Sequence, residues 1–334
     1  MYKNVHIVGL GSYHPERILH NNYFENHFEK YNLTDHAKGL ARKLGRNRRT
    51  LANEGENSIT MSYEAAIRAI NNANLTALDI DAIICVSDTP EYLTPCCALI
   101  LRNKLGAANA TNVFDINNDC IGMITGVDIA ARYLKTDKKY KRILVIGSIV
   151  MSNFAREDDL VMYSCFSDGA SAVILEAKEE ETLRGIIDSK MYTDCEYNEY
   201  IRFPVCGLTN MWKDETDEYD RKIKWDPFDF SFLSDKWVNL ITGILDENSL
   251  ASNDIKHYFM SQFSKTDLNL TIEKLGLGDD KAIFIGEKYG YTGCTSPFMA
   301  LEEKVQSYKF KENDLSIFCS VAAGYTMAAL LYKW

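Results

Sequence analysis

The chain has 334 residues, 46% hydrophobic and 25% charged, enough for a sizeable buried core and without a tract biased enough to stay disordered. A formal net charge of -10 and a sequence pI near 5.2 exclude a broad phosphate-neutralising surface, so nucleic acid is not an expected partner. No run of ~20 apolar residues occurs, and the start MYKNVHIVGLGSYHPE lacks the apolar centre of a secretion signal, so a soluble, cytoplasmic chain without a membrane segment is expected.

In chain order, VHIVGLGSY reads as a strand and a Gly turn, SITMSYEAAIRAINNANL as a helix, DAIICVSD as a strand and CCALILRNKLG as a helix. TNVFDI follows as a strand, IGMITGVDIAARYLKT as an apolar helix, and RILVIGSIV and SDGASAVILEA as strands. This alternation implies a layered α/β domain, βαβαβαββ to about residue 180. TLRGIIDSKMYTD looks like an edge strand. Residues 195–232 are rich in aromatics and acids, Trp212, Trp225 and Phe228 among them; the segment is either a functional loop or lid, or an irregular cap packing its aromatics on the core. DKWVNLITGILDEN then reads as an amphipathic helix, IKHYFMSQ as a strand and KTDLNLTIEKLGL as a helix with a Gly near its end. AIFIGEKYGYTGCTSPFMALEEKVQSY gives a turn and a helix, and DLSIFCSVAAGYTMAALLYKW two closing strands around a small-residue turn. The second order mirrors the first, so two similar halves are expected, residues 1–180 and 181–334.

The nine Cys show no paired CxxC spacing and no His-rich partner segment, so no zinc or other metal site is expected. Several lie in apolar runs, where a reduced thiol behaves as a small hydrophobe. The basic cluster Arg42–Lys43 and Arg46–Arg49 reads as a solvated face, with an anion or carrier-protein contact as the alternative. Cys120 differs from the other cysteines. It stands at a strand-to-helix junction, VFDINNDC before IGMITGVDIAARYL, where a helix N-terminus favours thiolate over thiol and backbone N–H groups can receive an oxyanion.

The stretch FDINNDCIGMITGVDIAARYLKTDKKYKRILVIGSIV, followed by YSCFSDGASAVILEA, resembles the nucleophile segment of the ketoacyl-acyl-carrier-protein synthase III family of the thiolase superfamily. VGLGSYHPERILHN, DAIICVSDTPEYLTPCCALILRNKLG, FMSQFSKTDLNLTIEKLG, YGYTGCTSPFMAL and AAGYTMAALLYKW fall in that family's order along nearly the whole chain. The resemblance implies a five-layered αβαβα fold of two pseudo-duplicated halves, usually dimeric. It also implies that Cys120 takes an acyl group from a coenzyme A or acyl-carrier-protein thioester, with no permanently bound cofactor.

The departures from the family are specific. Where it carries a His in an HQAN-type segment, this chain reads Ser261-Gln262-Phe263-Ser264, and where it carries an Asn in a YGNTS-type segment, this chain has Tyr291. Both helpers of malonyl decarboxylation are thereby replaced. Tyr291 either donates a hydrogen bond to a developing oxyanion or fills the extender's place, and Ser261 is a donor but a poor base without a partner. The turn at Ala323–Gly324 matches the family's Gly-rich oxyanion-hole turn. Ala37 stands where the family has an adenine-stacking Trp and Leu160 where it has a basic residue, which favours a carrier-protein-bound or unusual donor. Asp119 reads as the helix N-cap, with a base role as the alternative; His257, roughly 13 Å along the strand from Ser261, reads as a strand-end residue.

Thioester exchange needs only a nucleophilic sulfur and an oxyanion hole, whereas carbanion formation needs the missing helpers. The expected activity is therefore acyl transfer, or atypical ketoacyl synthesis in specialised fatty-acid or polyketide-type biosynthesis, with an acyl carrier protein as implied partner and a homodimer or heterodimer as assembly. The alternative is a catalytically degenerate subunit of a heteromeric ketosynthase. A condensing enzyme working with the substituted residues is a third reading.

Overall fold

The computed structural model describes residues 1–334. Nine strands form a mixed sheet in the spatial order Ile255–Met260, Leu315–Ala322, Gly324–Lys333, Gly185–Tyr197, Tyr2–Tyr13, Gly169–Glu180, Arg142–Ile149, Ala82–Val86, Asn112–Ile116. Strand Ala82–Val86, flanked in parallel by Asn112–Ile116 and Arg142–Ile149, is buried at every residue. Covered on both faces, it reads as the unbroken apolar run AIICV instead of alternating.

Two central helices, Gly122–Thr136 and Ser296–Val305, pack against strands from both ends of this order. Outside them lie Ser58–Asn72 and Cys97–Leu105 on one face, and Leu233–Glu247 and Lys265–Lys274 on the other. Three hydrophobic clusters separate these layers, the largest around the central helices. The result is the five-layered αβαβα arrangement expected from the sequence. Helix Ser58–Asn72 starts at a capping box from Asn57 and Thr60 and buries Met61, Ala65, Ala69 and Ile70 along one stripe. Its backbone comes so close to the first strand that a Cβ on Gly11 would lie 2.4 Å from the Ala65 carbonyl oxygen.

Two expectations need correction. Strand Gly185–Tyr197 is not at the sheet's edge. It pairs along nearly its whole length with Gly324–Lys333 and touches the first strand at one position, Val5 against Gly185, so it forms the seam between the two groups of strands. Its half-exposed alternation misled because its second long edge is free beyond that contact. Nor does the whole basic cluster face solvent. Arg42 and Lys43 do, but Arg46 and Arg49 are buried. Arg46 donates to the carbonyls of Leu44, Cys165, Gln262 and Phe263, fastening the segment just after Ser261 to the first half of the chain. Backbone carbonyls satisfy the guanidinium fork where no carboxylate does. All nine cysteines are free, and no helix is long and apolar enough to cross a membrane.

Candidate active site

Strand Asn112–Ile116 delivers its carboxyl end to a one-turn 3-10 segment, Asp119–Ile121, from which helix Gly122–Thr136 continues. The helix approaches the sheet through Gly122, where a Cβ would lie 2.3 Å from Val86 Cγ1. Asp119 turns the chain with a left-handed φ of 48°, a conformation Asp adopts more readily than most residues. Cys120 follows, buried, at the wall of a cavity of about 620 Å³ of empty space, counting its opening to solvent.

Of the 19 residues lining this cavity 16 are hydrophobic, so the ligand it accommodates is largely apolar. The segment 195–232 supplies much of that lining through Ile201, Ile223, Trp225, Phe228 and Phe230. Trp225 stacks on Phe263 with ring centroids 5.3 Å apart, and Phe263 meets Tyr291 edge-on at 5.3 Å. The aromatics of this segment therefore wall the cavity, while Trp212 stands 83% exposed on its outer side.

The second half of the chain brings its candidate residues to the same place. Ser261 follows strand Ile255–Met260 and donates from Oγ to the Tyr291 phenol at 3.4 Å. The phenol in turn is hydrogen-bonded beside the Cys120 sulfur. Gly324, with φ 72°, opens the last strand and lines the cavity next to Ala323. The structure thus brings Cys120, Ser261, Tyr291 and Gly324 together.

The electrostatics correct three readings. The Cys120 thiol is pushed well above the usual thiol range, first by burial and then by the charges of Asp119 and Asp88, while the Tyr291 hydrogen bond acts in the opposite direction. The resting sulfur is a thiol; the helix start does not outweigh burial beside two acids. Asp119 is not a helix cap. One carboxyl oxygen accepts the Ala323 N–H and the other accepts the Cys120 S–H at 3.4 Å. The Ala323 N–H, expected to face a substrate oxyanion, here orients Asp119.

Asp88 was not singled out from the sequence. It stands just beyond strand Ala82–Val86, at the carboxyl end of a parallel strand, where ligand-facing groups collect in open α/β sheets; that position was the available signal. Its Oδ1 is fully buried and has no hydrogen-bond donor, and burial together with the Asp119 charge raises the Asp88 carboxyl well above the usual range. Asp88, Asp119 and Cys120 have ligand-type atoms within 4.8 Å of one another.

The remaining positions lie elsewhere. His257 packs edge-on against Tyr308 and Phe310, is lowered to about 4 by burial, and does not line the cavity. Ala37 is buried on helix Thr34–Leu44. Leu160 opens helix Leu160–Cys165 and borders a surface hollow with Asp35, His36, Gly39, Leu40 and Lys43.

Sequence profiles of the family described as 3-oxoacyl-[acyl-carrier-protein (ACP)] synthase III match residues 114–195, and profiles of its C-terminal part match residues 245–334. A β-ketoacyl-[acyl-carrier-protein] synthase III of Clostridioides difficile is 31% identical over 331 residues, covering 98% of each chain. One of Clostridium acetobutylicum is 30% identical over 333 residues, covering 99% of each. The crystal structure of the 3-oxoacyl-[acyl-carrier-protein] synthase III of Aquifex aeolicus superposes with a TM-score of 0.85 at 25% identity, covering 99% of this chain and 100% of that one. The chain belongs to the 3-oxoacyl-[acyl-carrier-protein] synthase III family of the thiolase superfamily.

Proposed function

We propose that the chain is a thioester-dependent acyltransferase, an atypical ketoacyl synthase of specialised fatty-acid or polyketide-type biosynthesis that carries its acyl group on Cys120. The observation that supports this most directly is the placement of the Cys120 sulfur at the wall of a mostly apolar cavity, under a phenol that can donate to a thioester oxygen. Burial and the neighbouring sulfur keep Tyr291 protonated, hence a donor, and Ser261 donates to it in turn. Tyr291 is assigned the oxyanion and Ser261 the role of orienting Tyr291. The turn at Gly324 is assigned the boundary of the acyl cavity, with Ala323 holding Asp119.

The donor is an acyl-carrier-protein or coenzyme A thioester, and the carrier protein is the expected macromolecular partner. Leu160 beside a hollow whose cation is Lys43 leaves coenzyme A phosphates with few partners there, which favours the carrier protein. Burial of an acyl chain against the aromatic wall contributes about 0.8 kcal/mol per CH₂.

The test is intact-protein mass spectrometry after incubation with acyl-coenzyme A and acyl-carrier-protein thioesters. A mass gain on the native chain that Cys120→Ala lacks supports the reading and identifies the donor. A second reading, a non-catalytic subunit of a heteromeric ketosynthase, is favoured by the raised thiol at Cys120. It predicts no adduct with any donor and copurification with a related chain that retains Cys, His and Asn.

A further inference from the structure

The acyl-transfer reading leaves one need unmet: a buried thiol in this site has neither a His nor a cation to take its proton. The groups that face it are Asp119, Asp88, Tyr291 and Cys294, two carboxyls, a phenol and a second thiol. Tyr291 and Cys294 are themselves held protonated by burial. No cation contributes to the surroundings of Asp88.

We propose that Asp88 and Asp119 form a proton-sharing carboxyl pair that replaces the family's histidine, with Asp119 as the base that takes the Cys120 thiol proton and Asp88 as the positioning residue that keeps the pair at one negative charge. Three geometric observations carry it. The Cys120 S–H is directed at Asp119 Oδ1 at 3.4 Å, while Ala323 N–H fixes the other Asp119 oxygen, so the carboxylate is oriented toward the sulfur from a point 204 residues away in sequence. The Asp88 Oδ1 is completely buried and has no donor from the rest of the chain, Asp88 lines the same cavity, and its carboxyl lies within 4.8 Å of Asp119; a proton shared with Asp119 supplies the missing partner. Asp119 also holds a left-handed backbone, φ 48°, at which glycine would be less strained, and that turn directs its carboxyl to Cys120 and Ala323.

The step balances without a further reactant. As Cys120 Sγ bonds to the acyl carbon of the donor thioester, the S–H bond breaks and its proton passes to Asp119. The acyl carbon then releases the donor sulfur, which leaves as a thiolate and takes that proton. The products are acyl-Cys120 and the donor thiol. Above the pH at which Asp88 ionises, two negative charges flank the sulfur and the reaction slows; the profile therefore has an alkaline limb that belongs to the pair.

The proposal rests on acyl transfer at Cys120, so its test pairs two readouts on the full chain: acylation by octanoyl-N-acetylcysteamine, followed by intact mass, and alkylation of Cys120 by iodoacetamide, followed by peptide mass. Asn tolerates the left-handed backbone as Asp does, so Asp119→Asn retains the turn. Asp119→Asn is expected to slow acylation by about 10²- to 10⁴-fold while alkylation at pH 8 stays equal or becomes faster, because a base is lost but a repelling charge is removed as well. Asp88→Asn is expected to slow acylation near pH 7 by up to about tenfold and to lose the alkaline decline, a change that disturbed packing alone would not produce. The pair is overturned if Asp119→Asn slows both reactions together or leaves acylation unchanged, or if Asp88→Asn keeps the native pH profile. Alkylation of native Cys120 with no acyl adduct overturns the acyl-transfer reading itself, and the pair's role with it.

Discussion

The two halves of the chain contain the same local structure at their centres and put it to different use. In the first, a left-handed residue, Asp119 at φ 48°, precedes Cys120 in a 3-10 turn that runs into helix Gly122–Thr136. In the second, Gly293 at φ 54° precedes Cys294 in a 3-10 turn that runs into helix Ser296–Val305. Both thiols are buried and both are raised by that burial. Cys120, however, lines the apolar cavity and points its S–H at the Asp119 carboxyl, whereas Cys294 sits against the backbone at Gly147 and does not line that cavity. The same turn therefore places its two cysteines in different surroundings. They differ in access to the cavity and in the hydrogen bond to Asp119, and Asp stands where the second turn has Gly, at a cost of roughly 1–2 kcal/mol.

The comparison can be broken at either turn. Cys120→Ala has the largest expected effect: no acyl adduct with any thioester, by intact mass, in a chain that still unfolds cooperatively. Next is Tyr291→Phe, which removes the one group the second half donates to the first sulfur while keeping the ring packed on Phe166 and Phe263. Acyl transfer should slow about 10²-fold in single-turnover measurements, with thermal stability nearly unchanged. Trp225→Ala opens the cavity wall that distinguishes the two cysteines, and should shift relative rates toward bulkier acyl groups by about tenfold in competition between short and long acyl donors.

A smaller effect concerns pH and stability. Burial beside Asp119 raises Asp88 above its ordinary value of 3.8, so the folded chain holds a proton that the unfolded chain has released. The associated stability is present below about pH 4 and is lost as pH rises through the folded value. Asp88→Asn should therefore melt a few degrees above the native chain at pH 8 and with it below about pH 4, by calorimetry. A melting point that does not diverge between the two as pH rises contradicts a shared proton. Cys294→Ala has the smallest expected effect: the acyl adduct persists, and stability falls by about 1 kcal/mol in denaturant titration. Loss of the adduct there would erase the distinction between the turns.

Cys120 was legible in the sequence because its signal is local: an apolar strand, a short polar junction and a small-residue helix. Ser261, Tyr291 and Gly324 were legible only through the family's motif order, and they do converge on Cys120 in the structure. Asp119 was misread for a physical reason. An Asp before a helix fits a cap, yet its carboxyl is claimed by Ala323 from the far end of the chain. Arg46 and Arg49 looked like a solvated patch because neighbouring basic residues usually are, and their acceptors are carbonyls contributed by remote segments.

Alternation of apolar strands and helices, the repeat of that order and the helix-head cysteine follow from side-chain periodicity and turn chemistry, which act over a few residues; the sequence by itself determined these, and with them the layered fold. The tertiary structure alone decided which charges are buried, which carboxyl lacks a donor, that the segment 195–232 walls a cavity, and that one helix-head thiol opens on that cavity and donates to Asp119 while the other does neither. Protonation and reactivity depend on burial and on neighbours hundreds of residues away, and no local pattern encodes either.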